Sequence, residues 1–464
     1  MHPSATIAAN RFGLGARPGE LRAIGADGRG WLLAQIERPG AAALDAADLL
    51  SGPDAFRAFL AYRQTRKNDR DMEAKAQADQ RMTRVARGDL VADTLGAEVE
   101  ARVTRAVTTP SGFCERWTHF WSNWFTVAAR NLQTIPLAGP FEREAIRPHV
   151  FASFRVMLHA ATAHPGMLVQ LDQAQSVGPN SRAGMRRRAG LNENLAREIL
   201  ELHTLGPDGG YSQADVTEFA KALTGWTVAG PRLRAEAGGM TAVRTGEFHF
   251  AAALHEPGAR RVRGKTYPEG GQEQARAILD ALASDPAVAR RVARALAVHF
   301  VADVPPPALV ARLEASFRRT DGDLRALART LIESPEAWSP QAAKFKTPHD
   351  FLISALRAGG VRSVAMGPLR QTFEQLGQAP FRAPSPKGWP DGAEHWAAPD
   401  AILKRADWAD LAGERFAETL QPFAFAEEAL GASLQARTRQ AIARAESPRQ
   451  AFVLALMSPE FQRR

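Results

Sequence analysis

The chain has 464 residues, 45% hydrophobic and 23% charged. That is the composition of a folded globular protein and excludes a disordered chain, a collagen-like repeat and a disulfide-stapled scaffold. The formal charge of +9 comes from 59 basic against 50 acidic residues, with 51 Arg and only 8 Lys, and the single cysteine, Cys114, excludes an internal disulfide and a cysteine-built zinc or iron–sulfur centre.

Helix signals follow one another along nearly the whole length. Segments 20–37 and 41–50 read as helices. Residues 61–88 (AYRQTRKNDRDMEAKAQADQRMTRVARG) are polar nearly all round, as in an exposed helix projecting from the body. In 112–127, Trp117, Phe120, Trp121 and Trp124 recur at helical spacing and are expected in the core. Helix in pieces is predicted over 139–171. Asn192 caps the run NENLAREILELHTLG, which Gly206 ends, and Ser212 with Asp215 resembles a capping box for a helix reaching Trp226. The one strand signal is 246–267, where GEFHF and RRVRGKTY are expected to pair as a hairpin. Beyond it come helices at 271–283, from Asp285 and Pro286 onward, and at 305–319, 322–333, 348–359, 367–377, 407–420 and 434–457. Between the helices 367–377 and 407–420, residues 380–399 are too rich in Pro and Gly for helix and read as an ordered loop pinned by Trp389 and Trp396. The pattern predicts an all-α, multi-helix protein with at most a small β-hairpin near 246–267.

No apolar run approaches the roughly 20 residues of a bilayer helix. Met1–Arg11 lacks the basic and apolar regions of a signal peptide, so the cytoplasm is the expected compartment, with export as a passenger of another protein left open. Arg is interleaved with acids except at Arg182, Arg186, Arg187 and Arg188. This cluster is expected to be a solvated loop, not a nucleic-acid patch.

The segment Asn192–Gly206 carries the densest chemistry. Wound at about 100° per residue, Leu195, Ala196, Ile199, Leu200 and Leu202 share one face. Glu193, Asn194, Arg197 and Glu201 fall opposite, with Glu198 at their edge. Three carboxylates around one guanidinium leave three readings open. They could form a structural ladder, or an acid–base centre in which crowding raises one carboxylate's pKa. Alternatively, Glu198 and Glu201 with an outside Asp or His could hold a divalent cation. The expected catalytic set is Glu198, Glu201 and Arg197, assisted by Asp215 and His255. Glu193, Asn194, Asp172, Trp226 and Trp389 are the expected binding residues; no metal site and no cofactor are assigned. His203 lies on the apolar side and is expected to be a buried structural histidine.

The runs NENLAREILELHTLG and GGYSQADVTEFAKALTGWT resemble the bacterial family known as domain of unknown function 1800. The likeness continues in RFGLGARPGE, ERWTHFWSNWF, FHFAAALHEPG, HFVADVPPPALV, KFKTPHDFLISALRA and LGQAPFRAPSPKGWPDG. It implies a mostly helical fold and one family domain over 1–464. It also implies a neighbour similar to the alkaline phosphatase and sulfatase superfamily that carries export signals. Two positions depart from the family pattern: Trp124 stands where a histidine is common, and Ala295 where a basic residue is. The expected function is therefore a non-catalytic interaction or maturation partner of an envelope-associated phosphatase- or sulfatase-like protein. The alternative is an acid–base hydrolase acting on an envelope polymer through the 192–206 cluster.

Overall fold

Many of the described helices begin where a side chain can satisfy the first free amides. In the computed structural model, which describes residues 1–73, 81–186, 190–230, 244–363 and 366–464 (side chains outside 66–93 and Met366), Asp27, Ser153, Asp323, Thr347 and Ser447 each accept a first-turn N–H. Ser212 and Asp215 form the reciprocal box, and Asp285 caps Pro286–Phe300 with Pro286 in its first turn. Most side chains of the polar segment 61–88, and the side chains of Arg187 and Arg188, lie outside the described residues.

The protein is all-α with two small antiparallel strand pairs among the described residues. The pairing differs from the expected hairpin. Phe248–Phe250 pairs with Trp226–Val228, in the register Trp226 opposite Phe250. Arg260–Val262 instead folds back on Lys265–Tyr267. The reason is local: Arg263 and Gly264 both have positive φ, 50° and 77°, and so make a tight two-residue turn between those strands.

Four helix expectations are also corrected. Residues 41–50 form turns, because the Ala41 and Ala42 carbonyls accept from Arg105 and Arg147 instead of from a following helical turn. Segment 20–37 divides into Glu20–Ile24 and Gly28–Glu37 at Gly25, whose φ is 62°. Segment 434–457 divides into Ala436–Ala443 and Pro448–Leu456, the second restarted by Ser447. The 407–420 helix begins earlier than expected, as Pro399–Ala417.

The amphipathic helix Gly112–Trp124 sits at the centre of the main apolar core. Phe113 and Trp117 pack on Phe300, with ring centroids 5.8 and 6.0 Å apart, and Phe12 joins them from the N-terminal segment. The opposite side of the same helix carries buried charge. Arg147 makes a two-pronged bond to Glu115 (2.9 and 2.6 Å) and also holds Glu142, which Arg102 binds at 2.8 Å. No described helix is long and apolar enough to cross a membrane.

Candidate active site

The last turns of Gly112–Trp124 and Pro286–Phe300 bring His119, Ser122 and Asn123 toward His299, whose ring lies 5.3 Å from that of Phe120. The start of Pro348–Ala358 adds Thr347, His349 and Asp350, and the loop 378–391 closes the space. That loop is held in place by the Asn123 amide. It donates to the Trp389 carbonyl at 2.9 Å and accepts the Trp389 N–H at 2.7 Å. Gly388 permits the approach: its φ is 82°, and a Cβ there would lie 2.5 Å from the Asn123 carbonyl oxygen. Trp396 donates to the Pro390 carbonyl at 2.9 Å, and Lys344 ties Asp303 to the Asp391 backbone.

The result is a cavity of about 100 Å³, lined on its polar side by Arg102, Arg116, His119, His299, His349, Asp350 and Asp391. This is room for several waters. A larger cleft of about 650 Å³ opens beside it, and Asn123, His299, Trp389, Pro390 and Asp391 line both. Trp124, Phe120, Arg291, Arg294 and Lys387 complete its walls. Arg291 lies 4.4 Å over the Trp124 ring and is anchored on the Leu202 and Thr204 carbonyls.

His299 Nδ1 lies 2.9 Å from Asp391 Oδ2. Burial pushes the His299 pKa down, and the pull of Asp391 does not reverse it, so the ring is neutral near pH 7. A neutral ring beside a carboxylate carries its proton on Nδ1 and donates it there. Nε2 is then a lone-pair acceptor, and it is buried with no hydrogen-bond partner among the described residues. Asp391 itself is held below the usual carboxylate range: burial opposes ionisation, but His299 and Lys344 outweigh it.

His119 and His349 are likewise lowered, mainly by burial and then by neighbouring positive charge, and their rings meet edge-on at 4.8 Å. Asp350 is kept ionised against its burial by Arg116 at 2.9 Å and Arg464 at 2.8 Å. Arg102 is fixed through Nε to Glu142 and lies over Phe381, with no acceptor for its Nη groups among the described residues. Among the described residues no three His, Cys, Asp or Glu side chains are grouped so as to share a metal ion.

The residues expected from sequence mostly lie elsewhere. Of the ten, Trp389 alone lines either cavity. Arg197 bonds Glu193 at 3.1 Å, and Gln213 and Thr217 of the next helix bind the same carboxylate. The described residues show no ion pair from Arg197 to Glu198 or Glu201, so the three-carboxylate ring is reduced to one pair. Glu198 is half-buried, and burial, then Glu201, raise its pKa. Asn194 is exposed, and its N–H is capped by the Asn192 side chain. The helix itself changes from Asn194–Glu198 into a wider π turn at Ile199–His203.

Asp172 is exposed in a left-handed turn with φ 55°. Asp215 is consumed by its capping box and by the Arg263 N–H at 2.6 Å. His255 Nδ1 donates to the Thr224 carbonyl at 2.8 Å, leaving Nε2 buried and without a partner among the described residues. Trp226 is buried in its strand against Phe248.

Sequence reasoning missed His119, His299, His349, Asp391 and Arg102. A signal did exist for the first four: they sit in ERWTHFWSNWF, HFVADVPPPALV, KFKTPHDF and SPKGWPDG, and these separate runs meet at one cavity. Both departures, Trp124 and Ala295, line the outer cleft.

Fold and cavities together define an all-α protein with a histidine-lined polar chamber beneath an aromatic, basic cleft. The chain belongs to the family described as protein of unknown function DUF1800, whose model matches residues 7–463. No curated protein and no solved structure matches it.

Proposed function

We propose that the protein is a hydrolase-like acid–base catalyst centred on His299 and Asp391, not on the carboxylates of the 192–206 helix. The observation that carries this reading is the buried, unpartnered Nε2 of a neutral imidazole, oriented by a carboxylate in the wall shared by two cavities. The inner chamber suits water and the outer cleft a substrate. His299 Nε2 takes a proton from water as its oxygen bonds to the acyl carbon of an ester. Asp391 stabilises the imidazolium. The uncommitted Nη groups of Arg102 favour the oxyanion. The proton then passes to the leaving alkoxide as the ester C–O bond breaks, so ester and water become acid and alcohol.

The test is turnover of a chromogenic panel of acyl esters by the wild-type protein and by His299→Gln and Asp391→Asn. We expect about 10²- to 10⁴-fold loss in the first variant. The wild-type rate should hold through neutral pH and fall only in acid below the ordinary histidine range, because burial lowers the His299 pKa. Equal rates in wild type and His299→Gln would refute the assignment.

A second reading, a non-catalytic interaction or maturation partner of a phosphatase- or sulfatase-like protein, is supported by the 192–206 cluster. Its Glu193–Arg197 pair is tied to the next helix as joinery. Co-purification with such a neighbour, undiminished by His299→Gln, is the result expected on that reading.

A further inference from the structure

We propose that the outer cleft binds an acidic sugar unit of a glycan. This inference rests on the catalytic reading above and names the substrate class of the same site. The cleft, about 650 Å³, falls in the range of pockets that bury a small ligand, roughly 300–1,000 Å³. Its walls combine two features. Trp124, Phe120 and Trp389 supply flat apolar faces, the kind of surface on which the C–H face of a sugar ring stacks, while Asn123, Ser385 and His395 offer hydrogen bonds to hydroxyls.

The charge is one-sided. Arg294 and Lys387 are exposed and have no anionic partner among the described residues, and Arg291 adds a third cation. Among the described residues the only carboxylate in the lining is Asp391, which accepts from the neutral His299 ring at 2.9 Å and faces the Lys344 ammonium at 3.6 Å, so three cations outnumber it. The cleft therefore presents a net positive field to solvent and draws in an anion. A few cations around one aromatic-walled cleft suit a single acidic ring. A nucleic-acid backbone calls for an extended row of phosphate contacts.

The ring is set against the wall that carries His299. A carboxylate or sulfate on it meets Arg294 and Lys387, and its ester group lies toward the His299 side of the cleft.

Binding is measured by calorimetry on the full-length His299→Gln protein, so that it is read independently of turnover. The probes are a carboxylated oligosaccharide (tetragalacturonate), a sulfated one (a carrageenan tetrasaccharide), neutral cellotetraose, AMP and inorganic phosphate. We expect at least one acidic oligosaccharide to bind at least tenfold more tightly than cellotetraose, AMP or phosphate. That affinity should fall with salt and drop tenfold or more in Arg294→Ala/Lys387→Ala, whose surface substitutions leave the fold intact. Trp124→Ala should weaken it with the salt dependence unchanged.

Binding of neither acidic glycan, equal binding of cellotetraose, equal binding of AMP or phosphate, or indifference to the double substitution would overturn the proposal. If ester turnover by the wild type persists in that event, the His299 assignment survives and the substrate class alone is lost. Acidic-glycan binding without turnover has the opposite consequence.

Discussion

A histidine taken out of water without a matching negative charge resists protonation, and this chain does so repeatedly. His203 is the extreme: burial, then the positive charge of Arg291, push its pKa down to about 3. In the unfolded chain the same ring titrates near 6.5. The folded state therefore binds fewer protons than the unfolded one between those values. The stability this represents is complete above pH 6.5 and is lost as pH falls toward 3. It amounts to about 5 kcal/mol, taking 1.36 kcal/mol per pKa unit. Glu142, lowered to about 2 because Arg102 and Arg147 outweigh its burial, acts in a lower window, losing its contribution from about 4.5 downward. Melting temperature followed against pH should accordingly start to fall near pH 6.5, above the carboxylate range. In His203→Gln the decline between 6.5 and 4.5 should flatten. Lys346 shows the same sign in a higher window. Burial, opposed by Asp350 and aided by Arg116, Arg464 and Arg405, pushes its amine down to about 7, and among the described residues the amine makes one hydrogen bond, to Ser354 Oγ at 2.9 Å. Because the folded state resists this charge, Lys346→Met should raise stability at pH 7 by about 1 kcal/mol. It should also remove the gain that the wild type shows as pH rises from 7 toward 10.5. A lower melting temperature in Lys346→Met would show that the amine has a partner in solution.

At the scale of elements, two charged helices with similar sequence signatures have opposite energetic weight. On Asn194–Glu198 the Arg197–Glu193 pair is 41% and 28% exposed. Arg197→Ala should therefore cost less than about 1 kcal/mol, and Glu201→Gln a similar amount. On Gly112–Trp124, Glu115 is fully buried, and it shares Arg147 with the equally buried Glu142. Arg147→Met leaves two carboxylates without their common partner and should cost about 3–5 kcal/mol, read as a lower denaturant midpoint at constant m. The helical wheel could not separate the two cases. It places Glu193, Arg197 and Glu201 on one face, but says nothing of how much water reaches that face. Local chemistry was legible where the bonding partners are neighbours in sequence: the Ser212–Asp215 box and the Asp285–Pro286 start are present as read. It failed where the partner is remote. The turns at 41–50 depend on Arg105 and Arg147, and Trp226–Val228 finds its strand partner about twenty residues away, across a stretch with no strand pattern.

The whole molecule explains why the candidate site could not be read segment by segment. His119, His299, His349 and Asp391 come from four separated runs, and each alone looks like core or turn. What brings them together is the closure of the chain on itself. Phe345 pairs with Arg463, Arg11 reaches the Ala337 carbonyl at 2.7 Å, and Asn10 reaches that of Ala429 at 3.0 Å. Arg357 is the most connected of these ties. From the last turn of Pro348–Ala358 it donates to the carbonyls of Gly15, Ala106, Val107 and Thr109 and pairs with Glu20, while only 1% exposed. Such a guanidinium joins three distant stretches of chain, so its loss should be felt by all of them together. Arg357→Met leaves four carbonyls and one carboxylate without their donor, each costing about 1–3 kcal/mol if buried and unpaired. Scanning calorimetry should then show the main transition moving down as one peak. Near-ultraviolet dichroism from the central tryptophans and far-ultraviolet dichroism from the helices should lose their signals together. A split into two peaks, with the tryptophan signal lost first, would instead mean that the N-terminal segment folds independently of the helix bearing His349, and that the cavity is assembled between two separately stable units.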